Sequence, residues 1–264
     1  MLTSYHNHTT WSDGEPTVAE LLEAAVRSGL DEVGISDHFV LTPNSHPVDW
    51  SMPVDKLGEY VEEVRTQALN FPGVVVRLGI EADFFPDTVE NLRIELAKYP
   101  FDFVIGSVHF VDGFPIDSEA SDWEPLAQDQ VNHYWWAYWQ HIEKMAESRV
   151  FDFAAHLDLP KKFGFKPAVD LVELSNAALD AISMAGMAIE INTAGWEKPI
   201  GEAYPSLEIL KAARMRNIPL LINADAHETG HLTREFTRAR VLAQLAGYSE
   251  LVRYESRRSY PIPL

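Results

Sequence analysis

The sequence contains no cysteine, so it can form neither a disulfide nor a thiolate-bound metal site. Any metal must therefore be held by imidazole and carboxylate ligands. The N-terminus also lacks a basic region followed by an apolar run, and no apolar stretch is long enough to cross a bilayer. These absences predict a cytoplasmic protein without a membrane partner.

Basic residues are scarce relative to acidic ones: 21 Lys and Arg stand against 40 Asp and Glu, for a net charge of −19. Such a surface repels the phosphate backbone of nucleic acids, and we expect no nucleic-acid partner. The same charge is equally explained by solubility. The 264 residues are 46% hydrophobic and show no linker composition, so we expect a single domain over residues 1–264.

Short β-rich runs alternate with helical patterns along the chain. The predicted strands are Thr3–Thr9, Asp31–Asp37, Val74–Ala82, Phe101–Val108, Phe151–His156, Met187–Asn192, Ile218–Ala224 and a short eighth at Leu251–Tyr254. Capping-box spacing marks helix starts at Thr17, Asp87 and Asp170. This alternation predicts an α/β fold with parallel strands. Seven or eight βα units favour a distorted TIM-like barrel, with an open doubly wound sheet as the alternative.

Histidines and acids occur where the predicted strands end. The residues in these positions are His6, His8, His38, Glu81, His109, His156, Asp225 and His227. In a parallel barrel the carboxyl ends of the strands lie on one face, so these side chains should converge. One histidine at a strand end is usually structural, but six of the ten at equivalent positions predict a cluster of two or three metals.

At these residues the sequence resembles the polymerase-and-histidinol-phosphatase (PHP) superfamily, and its histidinol-phosphatase branch in particular. The motifs that carry the resemblance are HNHTTWSDG at His6–Gly14, ISDH at Ile35–His38, GIEAD at Gly79–Asp83, GSVHFVDGFPID at Gly106–Asp117, HLDLPKKFG at His156–Gly164, NTAG at Asn192–Gly195 and NADAHETG at Asn223–Gly230. The resemblance implies a barrel of about seven βα units with a trinuclear metal site at the carboxyl ends of its strands.

The resemblance also implies a distribution of ligands over three divalent ions, which are zinc, manganese or iron. The first ion would take His6, His8, Glu81 and Asp225; the second would share Glu81 and add His109 and His156; the third would take Asp13, His38 and His227. Asp13 comes from the resemblance alone, because Ser12-Asp13-Gly14 otherwise reads as a turn. Asp37, Asp83 and Asp158 neighbour these ligands and are either acceptors for their ring N–H groups or ordinary surface carboxylates.

The implied activity is hydrolysis of a phosphate monoester, L-histidinol phosphate, in histidine biosynthesis. We expect a metal-bridging hydroxide to attack phosphorus, with no protein nucleophile. The candidate substrate- and phosphate-binding residues are Lys161, Lys162, Lys198, Glu197, Trp196, His231 and Arg257. The family's arginine after NTAG is replaced here by Trp196-Glu197-Lys198, which leaves the preferred ester open.

Three alternatives remain at this point: a PHP-type phosphodiesterase or nuclease, a phosphatase for another small ester, and a metal-binding module without turnover. The acidic charge disfavours the nuclease, and the complete ligand set disfavours the inert module. His46, in a loop, is a further candidate for the mouth of the pocket. His133 and His141 lie on an aromatic helical segment, where we expect packing or surface roles.

Overall fold

A computed structural model describes residues 1–43 and 48–264 of the protein. Its strands are β1 (Thr3–Ser4), β2 (Glu32–Ile35), β3 (His38–Phe39), β4 (Val75–Leu78), β5 (Glu81–Asp83), β6 (Ile105–Ser107), β7 (Phe110–Val111), β8 (Phe114–Pro115), β9 (Phe153–Ala154), β10 (Ala188–Asn192), β11 (Leu220–Asn223), β12 (Glu250–Glu255) and β13 (Arg258–Pro263). Its α-helices are α1 (Val18–Arg27), α2 (Leu57–Ala68), α3 (Val89–Leu96), α4 (Ala120–Trp123), α5 (Gln128–Ser148), α6 (Leu171–Ala185), α7 (Leu207–Met215) and α8 (Phe236–Leu245). Within these residues, no helix combines the length and apolar character that crossing a membrane requires.

Two parallel sheets form the centre of the fold. One has the order β1-β2-β4, and the other has the order β11-β10-β9-β6-β5-β3. The strands β3 and β5 follow β2 and β4 after short breaks, so the second sheet continues the first. A parallel bridge between Asn7 and Ala226 also joins the segment after β1 to the segment after β11. The predicted α/β fold with parallel strands is confirmed.

Two of the three predicted helix caps are present. The Thr17 side chain accepts from the Glu20 N–H and Glu20 reaches back, which completes the predicted capping box of α1. The Asp170 carboxylate caps α6 through the Glu173 N–H. The predicted cap at Asp87 is wrong, because the backbone cap of α3 is Thr88 and no side chain bonds there.

The predicted eighth strand belongs to a separate hairpin. β12 pairs only with β13, antiparallel, from Glu250↔Pro263 to Glu255↔Arg258. Its turn residues Ser256 and Arg257 have φ of 49° and 63°, the left-handed conformation of a tight turn. This hairpin lies against the amino ends of the central strands, since the Ser256 N–H donates to Asp102, which precedes β6.

The interior of the sheets holds a small apolar cluster distinct from the main core under the helices. The members of this inner cluster are Tyr5, Phe103, Ile105, Phe153, Ala155, Ala188, Leu221 and Tyr254. The Phe103 and Phe153 rings stack at 5.7 Å, and Tyr5 meets Phe103 edge-on at 5.2 Å. Tyr5 and Ala155 directly precede His6 and His156, so the cluster lies immediately beneath those histidines.

Candidate metal centre

The nine side chains predicted as metal ligands converge at the carboxyl ends of the parallel strands. Four overlapping groups have ligand atoms within 4.8 Å of one another: His8, Asp13, His38 and His227; His6, His8 and Glu81; His6, His156 and Asp225; and Glu81, His109 and His156. Every predicted ligand belongs to at least one group. The fold therefore brings residues from both termini and from the middle of the chain to one point.

Glu81 occupies the centre of the cluster and is fully buried. Its Oε2 lies 2.8 Å from His38 Nδ1 and 3.1 Å from His6 Nε2. Its Oε1 lies 3.1 Å from His156 Nε2 and 4.0 Å from His109 Nε2. The two oxygens thus face different sets of histidines, since His8 Nε2 also lies 3.5 Å from Oε2, which is the arrangement of a carboxylate able to bridge two ions.

Asp225 and Asp13 extend the cluster towards the surface. Asp225 Oδ1 lies 3.2 Å from His8 Nε2 and 3.6 Å from His6 Nε2. Asp13 Oδ1 lies 3.3 Å from His227 Nε2 and 3.7 Å from His38 Nε2. Asp225 has φ of 50°, a left-handed conformation uncommon outside glycine, of the kind that persists at functional sites.

Buried polar atoms without a hydrogen-bond partner are concentrated in this cluster. They include His6 Nε2, both ring nitrogens of His8, His38 Nδ1, Glu81 Oε2 and His156 Nδ1. His6 Nε2 and Glu81 Oε2 are 3.1 Å apart but lack hydrogen-bond geometry. An unsatisfied buried polar atom costs about 1–3 kcal/mol of stability, and a bound cation would satisfy these nitrogen and oxygen atoms. They therefore fit a site built to bind cations.

Two carboxylates fix the rings of proposed ligands from behind. Glu190 in β10 lies 3.0 and 3.1 Å from His6 Nδ1 and accepts the His156 backbone N–H at 3.0 Å. Asp83 lies 2.7 Å from His109 Nδ1. Each leaves the opposite Nε2 directed at the cluster, as carboxylate partners do for metal-binding histidines. The contact predicted for Asp83 is confirmed, whereas Glu190 was not predicted.

Asp37 and Asp158 contact no ring nitrogen of a proposed ligand in the described chain, so the acceptor alternative is wrong for both, although both are buried. Asp37 accepts from the Thr9 N–H at 2.7 Å and from the Ser12 hydroxyl at 2.7 Å, which holds the loop that carries Asp13. Gly14 completes this loop: a Cβ there would lie 2.4 Å from the backbone of His8. Asp158 is instead paired with Lys161 at 3.1 Å.

The charges in the cluster strongly influence one another. Burial alone would lower the pKa of His109, but the Asp83 carboxylate outweighs it and raises that pKa to about 10. Burial is likewise outweighed at His227, where Asp13 and Asp225 raise the pKa to about 9. For His8, burial and the neighbouring His38 lower the pKa to about 3. His8 is therefore a neutral imidazole, ready to bind a metal, at ordinary pH.

A cleft of about 370 Å³ opens above the cluster. Of the predicted substrate residues, Lys162 and Lys198 line it. Lys162 Nζ is 3.2 Å from Asp117 Oδ2, whereas Lys198 has no ion pair with any residue the structure describes. The cleft is also lined by Trp50, Asp117, Ser118 and Tyr204, which sequence reasoning missed. They come from loops or strand ends without a pattern that marks them.

The other predicted substrate residues do not line the cleft, which corrects their assignment. Lys161 is buried and donates to the Ala203 carbonyl at 2.7 Å. Glu197 pairs with Arg234, and Arg238 covers the Trp196 ring at 4.3 Å.

The last two predicted substrate residues also lie elsewhere. His231 is 3.9 Å from Glu228 in the loop before α8. Arg257 bonds Asp152, which precedes β9 and so lies at the opposite end of that strand from His156. His46 is outside the described residues.

Comparison with known sequences gives a consistent set of matches. A family model described as the PHP domain matches residues 4–194. A probable histidinol-phosphatase of Deinococcus radiodurans is 37% identical over 224 residues, which cover 84% of this chain and 85% of that relative. The histidinol-phosphatase of Bacillus subtilis is 24% identical over 249 residues, 85% of this chain and 93% of that relative.

Among solved structures, a histidinol phosphate phosphatase from Lactococcus lactis, in complex with zinc, L-histidinol and phosphate, matches with a TM-score of 0.82. It is 20% identical, and the match covers 98% of both chains. This likeness shows that the two chains share a fold over nearly their whole length.

Proposed function

The chain belongs to the PHP domain family, and from this we propose that it is a metal-dependent histidinol-phosphatase, which hydrolyses L-histidinol phosphate to L-histidinol and phosphate. One observation carries the proposal: nine histidine and acidic side chains meet beneath a cleft, and several of their buried atoms lack partners. We propose L-histidinol phosphate as the substrate because the similar proteins are named histidinol-phosphatases.

We assign the nine side chains to three divalent ions. One ion cannot take all nine ligands, so more than one ion is needed. The overlap of the groups at Glu81 and His8 supports adjacent ions and this count. The first ion takes His6, His8, Glu81 and Asp225; the second takes Glu81, His109 and His156; the third takes Asp13, His38 and His227. Six imidazoles and three carboxylates suit zinc, manganese or iron.

When bound, such ions supply Lewis acidity, which lowers the pKa of water and neutralises phosphate charge. The protein's own residues orient the reaction. Glu190 and Asp83 hold the rings of His6 and His109, and Lys162 and Lys198 attract the phosphate from the cleft walls. No protein nucleophile is required.

The leaving group of the substrate carries an ammonium and an imidazole, which need acidic and aromatic partners. Asp117 and Trp50 offer these on the cleft wall. Trp50 meets His38 edge-on at 4.8 Å and His109 at 5.3 Å, so it is fixed beside the cluster. These two residues take the place of Glu197 and Trp196 in our assignment.

We further infer that the two sheets close into one distorted barrel and that residues 1–264 form a single domain. The strand positions are β1, β2 with β3, β4 with β5, β6, β9, β10 and β11, which makes seven, and the Asn7–Ala226 bridge joins the first to the last. The expected setting is histidine biosynthesis in the cytoplasm.

The test is phosphate release from L-histidinol phosphate beside a panel of other monoesters and a bis-phosphodiester. One preparation should be assayed for metals, stripped, and reloaded with zinc, manganese or iron. We expect selective, metal-dependent turnover of L-histidinol phosphate. The variant His141→Ala serves as a control with unchanged activity, because His141 lies on α5 and, within the described structure, its ring has one hydrogen bond, to the Ala137 carbonyl.

Other outcomes would contradict the proposal in distinct ways. Selective turnover of another monoester would keep the reaction and change the substrate. Cleavage of the diester alone would favour a phosphodiesterase. Tight metal binding without hydrolysis of any ester would point to a binding module.

A further inference from the structure

The hydroxyl group of Tyr204 is buried but has no hydrogen-bond partner among the described residues. The residue is 2% exposed and lines the cleft. Two other buried tyrosines are satisfied: Tyr60 donates to two carbonyls, and Tyr254 donates to the Asp152 carbonyl. A buried hydroxyl without a partner is unfavourable and needs an explanation.

The Tyr204 ring is held firmly in position. Its backbone pairs in both directions with Asn192 at the end of β10, with N–O distances of 2.6 and 3.1 Å. Gly195 packs so closely that a Cβ there would lie 2.9 Å from the ring. The ring is therefore anchored through its backbone and packed on one side by Gly195.

The surroundings of the hydroxyl keep it protonated, and the same cleft holds a lysine. Burial, followed by the nearby charges of Asp158 and Asp117, raises the pKa of Tyr204, so the phenol stays protonated and remains a donor. Neither carboxylate accepts its proton in the described structure. Lys198 lines the same cleft and has no ion pair with a described residue. A donor and a cation without protein partners together suit a group rich in acceptor oxygens.

We propose that the phenol O–H of Tyr204 donates a hydrogen bond to a phosphoryl oxygen of the bound ester, with Lys198 as the neighbouring cation. This inference rests on the proposed phosphatase function and deepens it.

The test is Tyr204→Phe, which removes only the hydroxyl. We expect kcat/KM for L-histidinol phosphate to fall about 10- to 100-fold, the range of a lost hydrogen bond to a charged group. The inhibition constant of inorganic phosphate should rise by a similar factor. A simple monoester such as 4-nitrophenyl phosphate should show the same relative loss, because the contact is to phosphate and not to the leaving group.

The matched control is Tyr248→Phe. Its hydroxyl also lacks a partner and is buried, but it lies by Arg214 and lines a different cavity. We expect unchanged kinetics for this variant. Metal content is measured in both variants, so that a loss of ions is not mistaken for a loss of phosphate binding.

Two results would overturn the inference. In the first, Tyr204→Phe keeps the phosphate inhibition constant of the wild type and changes only thermal stability; the hydroxyl would then merely hold water beside Asp158, whose Oδ1 also lacks a partner. In the second, the loss appears only with L-histidinol phosphate, which would assign the hydroxyl to the leaving group. If the wild type hydrolyses other monoesters but not L-histidinol phosphate, the proposed function fails, and the inference is still decided by phosphate inhibition.

Discussion

Buried charged groups have protein partners at the amino ends of the parallel strands, whereas several buried polar atoms at the carboxyl ends have none in the described structure. At the amino end, Glu32 accepts from Tyr5 at 2.6 Å, from Arg77 through two bonds at 3.1 Å, and from Arg253 at 3.2 Å. No buried polar atom of these four residues lacks a partner in the described structure. At the carboxyl end, Nε2 of His6, both ring nitrogens of His8 and Oε2 of Glu81 have no hydrogen-bond partner in the described structure.

This difference separates a structural network from a functional one, although both are rich in charge. Polar groups that satisfy one another stabilise a fold and leave nothing for a ligand. Polar groups that are buried and unpaired lower stability and persist where a ligand completes them. The absence of protein partners for buried polar groups, more than the number of charges, therefore locates the site.

The largest expected effect comes from Glu81→Gln at the carboxyl end. Removing the charge of the central carboxylate should lower activity about 1000-fold or more, since the residues of such a site act as a unit. Metal content per protein should fall as well. The measurement is phosphate release beside metal analysis, with the exposed Glu59→Gln as the control. Full activity in Glu81→Gln would contradict the functional role assigned to the carboxyl end of the strands.

At the amino end, Glu32→Ala should destabilise the fold by about 3 kcal/mol, because it leaves Arg77 without its buried partner. The activity of the folded, metal-loaded variant should stay unchanged. Urea unfolding followed by kinetics at saturating metal tests both statements. A large kinetic defect without loss of stability would show that the two ends are not separate.

Glu190→Gln should lower activity about 10- to 100-fold, the usual cost of losing a carboxylate that orients a metal ligand. Glu190 reaches His6 and the backbone of His156 but lines no part of the cleft. We expect weaker metal affinity and partial recovery of activity when the metal concentration is raised. A defect insensitive to metal would contradict a role through His6.

Metal affinity should increase with pH by about tenfold or more per unit between pH 7 and 8. The pKa values of His109 and His227, about 10 and 9, mean that both must lose a proton to bind metal. Because these pKa values are raised, the two histidines stabilise the metal-free fold below the unfolded pKa of about 6.5, and this stabilisation is lost as pH rises towards 9 to 10. Competition with a chelator across this range measures the slope, and a flat profile would contradict the assignment.

Arg257→Ala should have the smallest effect, less than about 1 kcal/mol in stability and none on kinetics. Its guanidinium is partly exposed and bonds Asp152 at the amino end. Thermal unfolding and phosphate release both test this. A rise in KM would restore the prediction that Arg257 binds phosphate.

The convergence of most of the proposed metal ligands could be predicted because all of them except Asp13 follow or begin a short strand, and parallel topology brings such positions together. Asp13 lies on a loop, and only the family resemblance indicated it. Glu190 was missed although it is the one charged residue within Ala188–Asn192, and that isolated acid was the available signal.

The cleft was predicted poorly for a physical reason. Trp50 and Tyr204 reach it through loop and turn geometry that no periodic pattern encodes. The error at Leu251–Tyr254 has a related origin, since β propensity predicts a strand but not its partner or its direction. Arg257 was assigned to the wrong end of the molecule for this reason.

The inner cluster of Phe103, Phe153 and their neighbours has one more consequence. It forms an apolar layer between the amino-end charges and the proposed metal ligands, so it separates two polar regions of the protein. Substitutions on opposite sides of this layer should combine nearly additively. Substitutions at the amino end of the strands can therefore raise the stability of the fold, by design or by evolution, without changing the chemistry at the carboxyl end.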